Sequence, residues 1–240
     1  MAGHARRGLH GQVVEDLGTR IMRGEFKPGD IIDPNALAHE LDVSRTVVRE
    51  AIAVLTAKGL ISARPRLGTY VTDRASWQLL DDQVMTWRAG DDPDDVLVRE
   101  LGEVRLVIEP SAARMAAERR TAEQLERIGR ALGDLEKTSG AADAHQHVLA
   151  DLKFHTAVLA ASGNELLERL EVLLEPALHA RDALAHAHEP RRDYLDHHRA
   201  VYQAIEAGDP DRAQRTMQIL VERAAEDAEA ILAARRSERR

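Results

Sequence analysis

The sequence contains no cysteine and only seven aromatic residues of the Phe, Trp and Tyr types in 240 positions. The lack of cysteine excludes disulfides, thiolate metal ligands and a cysteine nucleophile. No apolar run is long enough to cross a bilayer, and no apolar segment follows the arginines near the N-terminus. The sequence therefore predicts a cytoplasmic chain with no membrane span and no secretory signal.

Acidic residues outnumber basic residues in the whole chain but not in its first 74 residues. The formal net charge is −8, with residues 1–74 holding 11 Lys/Arg against 9 Asp/Glu and the remainder holding 22 against 32. A surface that binds a phosphate backbone needs local positive charge. Only the first 74 residues meet that requirement, so the acidic remainder is expected to do something other than bind nucleic acid.

Apolar spacing and turn residues divide the chain into three parts. Residues 1–74 read as three short helices followed by a small β-hairpin, with strands over Leu60–Ala63 and Thr69–Thr72, the pattern of a winged helix-turn-helix. Residues 75–92 form a connector helix that holds both tryptophans. Residues 93–236 are dominated by helix-forming residues with short breaks, which predicts an all-α antiparallel bundle. The fold class is mainly α.

The third predicted helix carries the chemistry of DNA recognition. Ser44 is a good N-cap, and Arg45, Thr46 and Arg49 share the N-terminal end of one face, opposite an apolar face. Recognition helices insert this end into the major groove, where arginine can bind guanine O6 and N7 with two hydrogen bonds. The alternative is that these side chains form an ordinary solvated surface.

A long motif in this region resembles the GntR family of winged-helix regulators. Its residues are Gly24-x-x-x-Pro28-Gly29, Leu37-Ala38-x-x-Leu41-x-Val43-Ser44-Arg45-Thr46-x-Val48-Arg49-Glu50-Ala51-Ile52-x-x-Leu55-x-x-x-Gly59-Leu60-Ile61, and Gly68-Thr69-Tyr70-Val71. The resemblance implies that the Ser44–Arg49 segment reads double-stranded operator DNA in the major groove. It also implies that Arg66 and Gly68 lie on a wing that enters the minor groove, and that a homodimer binds a palindromic site.

In the predicted bundle, polar residues fall on otherwise apolar helical stripes. Arg105, His155 and His198 lie on three separate helices, and Asp151 flanks His155 one turn away. Charged groups are rarely buried unless paired or coordinated, so we expect a shared polar cavity. Arg105 would bind an anion there, and Asp151, His155 and His198 could hold a divalent metal. The alternatives are that Arg105 pairs with Glu109, one turn on, and that each histidine is a hydrogen-bonded core residue.

The bundle also resembles the FCD domain of the FadR subfamily. The matching residues are Glu103-Val-Arg105-x-x-x-Glu109-x-x-Ala112-Ala113, Asp151-x-x-Phe154-His155, Ser162-Gly-Asn164 and His198-Arg-Ala-x-x-x-Ala204-Ile205-x-x-Gly208-Asp209. The resemblance implies a carboxylate effector above a Zn or Ni ion held by one Asp and three His. Leu220 occupies the position of the third histidine. The alternatives are a weak metal site, a site completed by water or effector, or no metal, with Asp151, His155 and His198 hydrogen-bonding effector hydroxyls directly. The connector, Trp77-x-Leu79-Leu80-Asp81-x-x-Val84-x-x-Trp87, is similar to a branch that responds to aldonates and related sugar acids.

These features together predict a repressor, not an enzyme, whose operator binding is controlled by a small carboxylate effector such as a sugar acid. Two alternatives differ in chemistry. The divalent metal could itself be the signal, which the replacement at Leu220 disfavours. A helical metallo-hydrolase would need a general base beside the metal. Asp151 is already assigned as a ligand, and no spare carboxylate has the required spacing.

Overall fold

The structure is a computed structural model that describes residues 8–90, 95–138, 144–174, 176 and 193–238. Contacts between residues divide the chain into two units, Met1–Gly90 and Asp91–Arg240. The described part of the predicted connector up to Gly90 therefore belongs to the first unit instead of standing between two. No described helix is both long enough and apolar enough to cross a membrane.

Three helices and a small sheet form most of the first unit. Helix α1 spans Leu9–Met22, α2 spans Pro34–Glu40 and α3 spans Arg45–Ala57. Side-chain caps explain where two of them begin: Asp33 Oδ1 accepts a hydrogen bond from the Asn35 amide, and Ser44 Oγ accepts one from the Val47 amide. The Ser44 cap agrees with the sequence prediction.

The end of α3 depends on a glycine. Gly59 has φ +79°, and a Cβ at this position would lie 2.0 Å from the Ser76 carbonyl oxygen. A left-handed backbone and a close neighbouring carbonyl both favour glycine here. Gly59 thus ends α3 and lets the chain after the wing pack close to it.

The wing is a three-stranded antiparallel sheet, not the simple hairpin that the sequence predicts. Its strands are β1, Ile31–Ile32; β2, Ile61–Arg64; and β3, Gly68–Val71, in the spatial order β1-β3-β2. The hairpin strands are offset by about one residue from the expected bounds. Strand β1 adds a second partner to β3 by pairing Ile31 with Tyr70 and Ile32 with Thr69. Two residues are too few to show a period-2 pattern, so the sequence gives no signal for this strand.

The connector packs against the winged helix through one short helix. After a 3-10 turn at Arg74–Ser76, helix α4 spans Asp82–Ala89. The Trp87 indole N–H donates to Glu15 on α1 at 2.9 Å, and its ring lies over Gly18. Lys58, the C-cap of α3, contacts Asp81, the N-cap of α4, at 2.7 Å. The connector is thereby tied to both α1 and α3.

The second unit is helical throughout its described residues. Its helices include α5, Asp95–Arg119; α6, Ala122–Thr138; α7, Ala144–Ala161; α8, Glu165–Glu168; α9, Tyr194–Glu206; and α10, Pro210–Glu238. Small residues on α5 pack against α6, α7, α9 and α10 in one apolar core, whose buried members include Ala113, Ala117, Ile128, Leu132, Phe154, Val158, Val201, Ile205, Met217 and Leu220. Phe154 of this core packs edge-on against His155 and His198, two of the polar residues considered below.

Candidate operator interface and effector site

The N-terminal end of α3 presents the predicted recognition residues to solvent. Ser44, Arg45, Thr46 and Arg49 are all exposed. The opposite face of the helix is fully buried at three positions: Val48, Ala51 and Leu55. Because the core fixes one face of α3, the arginine face is held outward, as a helix that inserts into a DNA groove requires.

The wing places further cations near its tip. Arg66 and Gly68 are exposed, with positive φ angles of 68° and 92°. A non-glycine residue with this backbone is uncommon, and here it makes the tight turn between β2 and β3. Arg64 on β2 stacks over the Tyr70 ring, with its guanidinium carbon 5.2 Å from the ring centre. The wing therefore offers two exposed arginines.

In the second unit, the structure brings together all four residues that the sequence assigns to the effector site. Asp151, His155 and His198 are each at most 1% exposed, and Arg105 is 5% exposed. Helix α5 supplies Arg105, helix α7 supplies Asp151 and His155, and helix α9 supplies His198. A fifth buried polar residue, Glu109 on α5, belongs to the same cluster and is 1% exposed.

Glu109 links the cationic and imidazole groups of the cluster. One carboxylate oxygen accepts from Arg105 Nε at 2.5 Å, and the other lies 2.5 Å from His155 Nδ1. Arg105 Nη2 is also 3.3 Å from His155 Nε2. The alternative pairing of Arg105 with Glu109 is thus present. The same pair also contacts the histidine of a second helix.

Hydrogen bonds fix which nitrogen of each histidine faces Asp151. A carboxylate and a carbonyl only accept, so Nδ1 of His155 donates to Glu109, and Nδ1 of His198 donates to the Tyr194 carbonyl at 2.9 Å. The Nε2 atoms then face Asp151 Oδ1 at 3.4 Å from His155 and 3.0 Å from His198. Both imidazoles present the same atom to one carboxylate oxygen.

Burial and ion pairing move the pKa values of this cluster in different directions. For Glu109, burial favours the neutral acid, but Arg105 and His155 outweigh it and lower the pKa to about 2. Burial opposes the charged form of His155, yet the neighbouring Glu109 carboxylate leaves its pKa raised. For His198, burial prevails and the pKa is lowered. Glu109 is therefore ionised, whereas His198 resists a second proton.

This donor set fits a divalent metal ion. One ligand atom each from Asp151, His155 and His198 can be chosen so that all lie within 4.8 Å of one another. Nε2 of His198 lies within hydrogen-bond distance of Asp151 Oδ1, at 3.0 Å, and a metal ion would take the place of the proton shared by these two atoms. Histidine nitrogens with a carboxylate suit zinc and nickel, and metal-binding histidines usually donate their other N–H as these two do. Leu220 lies in the apolar core and offers no ligand atom.

A pocket reaches Arg105 from the side of α5 and α10. It has a volume of about 170 Å³, and its lining includes Gly102, Arg105, Leu106, Val221 and Ala225. Glycine and alanine at the helix contact leave room beside the arginine. Arg105 is the one residue of the buried cluster that lines this pocket.

Sequence reasoning missed two contributors to the cluster. Spacing along α5 predicts Glu109 only as a partner of Arg105, because that spacing cannot reveal a contact with α7. The Tyr194 carbonyl, which holds His198, gives no signal in a sequence since every residue has one. The i,i+4 spacing of Tyr194 and His198 is the one feature that could have suggested this hydrogen bond between the His198 ring and the Tyr194 carbonyl.

A winged helix with an outward arginine face, followed by a helical domain, is the architecture of a DNA-binding transcription regulator. Two family models match it: "Bacterial regulatory proteins, gntR family" over residues 9–71, and the FCD domain over residues 100–223. The chain belongs to the GntR family and carries an FCD domain.

Similar proteins extend over most of the chain. The galactonate operon transcriptional repressor of Escherichia coli is 33% identical over 85% of this chain and 90% of its own length. The regulator LutR of Bacillus subtilis is 36% identical over 82% and 90%, respectively. Among solved structures, Streptococcus agalactiae GntR has a TM-score of 0.52 at 27% identity, covering 91% of this chain and all of that one. Lar of Listeria monocytogenes has a TM-score of 0.66 at 20% identity over 93% and 98%, a likeness in fold.

Proposed function

We propose that this regulator is a repressor whose affinity for operator DNA is lowered by a small hydroxylated monocarboxylate of the sugar-acid class. A homodimer would place two copies of the Arg45/Arg49 face on a palindromic operator in the cytoplasm. Asp151, His155 and His198 would hold a divalent ion such as zinc or nickel beside the effector. An ion there would supply a Lewis-acidic contact for a carboxylate or hydroxyl oxygen.

The observation that carries this proposal is the buried cluster formed by α5, α7 and α9. Ionisable side chains are costly to bury, and an apolar core would stabilise a bundle at least as well. A cluster of five such groups therefore points to ligand binding. The pocket beside Arg105 supplies the adjacent space.

The charges of the cluster favour a singly charged effector. Arg105 contributes one positive charge, while Glu109 and Asp151 contribute two negative charges among side chains that are almost completely buried. A divalent cation would leave one net positive charge when both histidines are neutral. One carboxylate neutralises that charge, whereas a dicarboxylate would leave a buried excess of negative charge. The similarity to a protein named galactonate operon transcriptional repressor supports the same class of acid.

The test is operator binding with matched acids. Fluorescence anisotropy on DNA from upstream of the gene should show at least a tenfold loss of affinity with galactonate or gluconate. Galactarate and glucarate, which differ by a second carboxylate, should have much less effect. Operator affinity that no sugar acid changes would remove the sensing function and leave DNA binding intact.

Substitution of the proposed anion-binding residue separates sensing from DNA binding. Arg105→Ala should abolish the response to the acid while operator affinity without effector stays within a few-fold of the unsubstituted protein. Arg114→Ala is the matched control, because Arg114 lies on the same helix but its side chain is 41% exposed. An Arg105→Ala protein that still responds would show that the acid binds elsewhere.

The metal as the signal is the second candidate, favoured by the three converging ligand atoms. Zinc or nickel alone would then change operator affinity, and a chelator would reverse the change. Under the sugar-acid proposal, metal without acid leaves operator affinity nearly unchanged. Sedimentation equilibrium on the same samples tests the homodimer.

A further inference from the structure

Glu109 contacts both the proposed anion-binding residue, Arg105, and a proposed metal ligand, His155. The inference drawn from these contacts rests on the proposed function. Glu109 is buried, and each of its two carboxylate oxygens is used by a different partner: Arg105 Nε on its own helix and His155 Nδ1 on α7. Both partners are donors in this arrangement. Only a side chain with two acceptor oxygens and no proton satisfies both at once.

We propose that Glu109 is a positioning residue that couples the anion-binding arginine to the metal-binding histidine. Its bond to His155 keeps the proton on Nδ1 and leaves Nε2 as the nitrogen that faces Asp151. Its bond to Arg105 holds the guanidinium within 3.3 Å of that same Nε2 atom. A displacement of Glu109 therefore disturbs both groups together.

The substitution Glu109→Gln preserves the size of the side chain but removes one acceptor. An amide has one oxygen, which can serve Arg105 or His155 but not both. If the amide oxygen stays with Arg105, the NH₂ group faces His155 Nδ1, and the imidazole proton must move to Nε2, the nitrogen needed for the metal. If the oxygen turns to His155, Arg105 loses its partner.

The first experiment measures zinc affinity by calorimetry, with the metal alone. Glu109→Gln should bind zinc about ten- to a hundredfold more weakly, the usual effect of losing a partner that orients a metal ligand. Glu118→Gln is the matched control: it lies on the same helix, its carboxylate is 3.7 Å from Arg114 in the same i,i+4 relation, and it is 40% exposed. Equal zinc affinity in both variants would overturn the proposal.

The second experiment needs no substitution, so a variant that fails to fold does not prevent the test. Nitrogen-15 NMR of the zinc-loaded protein should show His155 with its proton on Nδ1 and zinc on Nε2. Zinc on Nδ1, or no zinc binding by the unsubstituted protein, would overturn the proposal. Neither measurement uses a sugar acid or DNA, so failure of the effector hypothesis leaves these readouts unchanged.

Discussion

At the scale of single residues, Arg45 and Arg49 are the side chains whose loss should weaken operator binding most. Each is exposed on α3, whose opposite face is buried. An arginine bound to guanine contributes about 1–3 kcal/mol of discrimination against other bases. We expect Arg45→Ala and Arg49→Ala each to reduce operator affinity roughly five- to 150-fold at fixed salt. Fluorescence anisotropy measures the change, and circular dichroism verifies folding.

The control for these two substitutions is Arg23→Ala. Arg23 is exposed on the same unit, at the C-cap of α1 and outside α3, and its substitution removes the same single positive charge. Its effect on affinity should be small and should not depend on the DNA sequence. Losses for Arg45 and Arg49 no larger than that for Arg23 would mean that α3 does not read bases.

The residues of the buried polar cluster differ in how far their roles can be predicted from the sequence. Arg105, His155 and His198 are detectable because each interrupts an apolar stripe on its own helix, and that pattern is local. The double role of Glu109 depends on the distance between α5 and α7, which helical spacing does not contain. Sequence patterns therefore identify which side chains point inward, but the hydrogen-bond partners require the packed structure.

At the scale of elements, the contact between α1 and α4 should be sensitive to one methyl group. A Cβ added to Gly18 would lie 2.5 Å from the Trp87 ring, and both elements are constrained, the ring by its bond to Glu15. Alanine gains about 1 kcal/mol of helix propensity over glycine, but overpacking costs about 1–3 kcal/mol or more. We expect Gly18→Ala to destabilise the first unit.

Urea unfolding followed by tryptophan fluorescence measures this effect directly, because both tryptophans lie in the first unit. Gly133→Ala is the matched control, since Gly133 lies within α6 and nothing would meet its Cβ within 4 Å. That variant should be about 0.5–1 kcal/mol more stable when followed by circular dichroism. A Gly18→Ala protein as stable as the unsubstituted one would show that α4 moves away from α1 without cost.

The salt bridge between Lys58 and Asp81 joins the end of α3 to the start of α4. Substitutions can separate its contribution to stability from that of the N-cap that Asp81 also provides for α4. Asp81 also accepts the Val84 amide, a bond that asparagine preserves. We expect Asp81→Asn to cost at most about 1 kcal/mol and Asp81→Ala about 1 kcal/mol more. Tryptophan fluorescence during urea unfolding measures the loss of unfolding free energy in both variants. Equal losses for Asp81→Asn and Asp81→Ala would mean that the salt bridge alone accounts for the stability that Asp81 provides.

Elements differ in how far their bounds follow from sequence. The starts of α2 and α3 are set by side-chain caps, with a proline in the first turn of α2, and the end of α3 by a glycine; these are local signals. Strand β1 forms by pairing with the open edge of β3, so its formation depends on tertiary structure and not on local sequence. The connector shows the same dependence: its residues predict a helix, but its attachment to α1 and α3 follows from Trp87 and Asp81 contacts between distant segments.

At the scale of the whole molecule, the two units divide the charge and the chemistry. The exposed arginines of α3 lie in Met1–Gly90, while the buried polar cluster lies in Asp91–Arg240. The proposed function therefore requires that effector binding in the second unit change the free energy of DNA binding by the first. Such coupling has the same magnitude in both directions, because it is a difference between equilibrium states.

This reciprocity gives a prediction that needs no assumption about the route of the signal. If galactonate lowers operator affinity by a given factor, saturating operator DNA must lower galactonate affinity by the same factor, with metal held constant. Isothermal titration of the acid into free and DNA-bound protein measures one side, and anisotropy measures the other. Arg45→Ala should leave the affinity of the free protein for the acid unchanged, because α3 is not part of the acid site. Unequal factors would show that the acid acts on the DNA or on the oligomeric state instead of through the regulator's two sites.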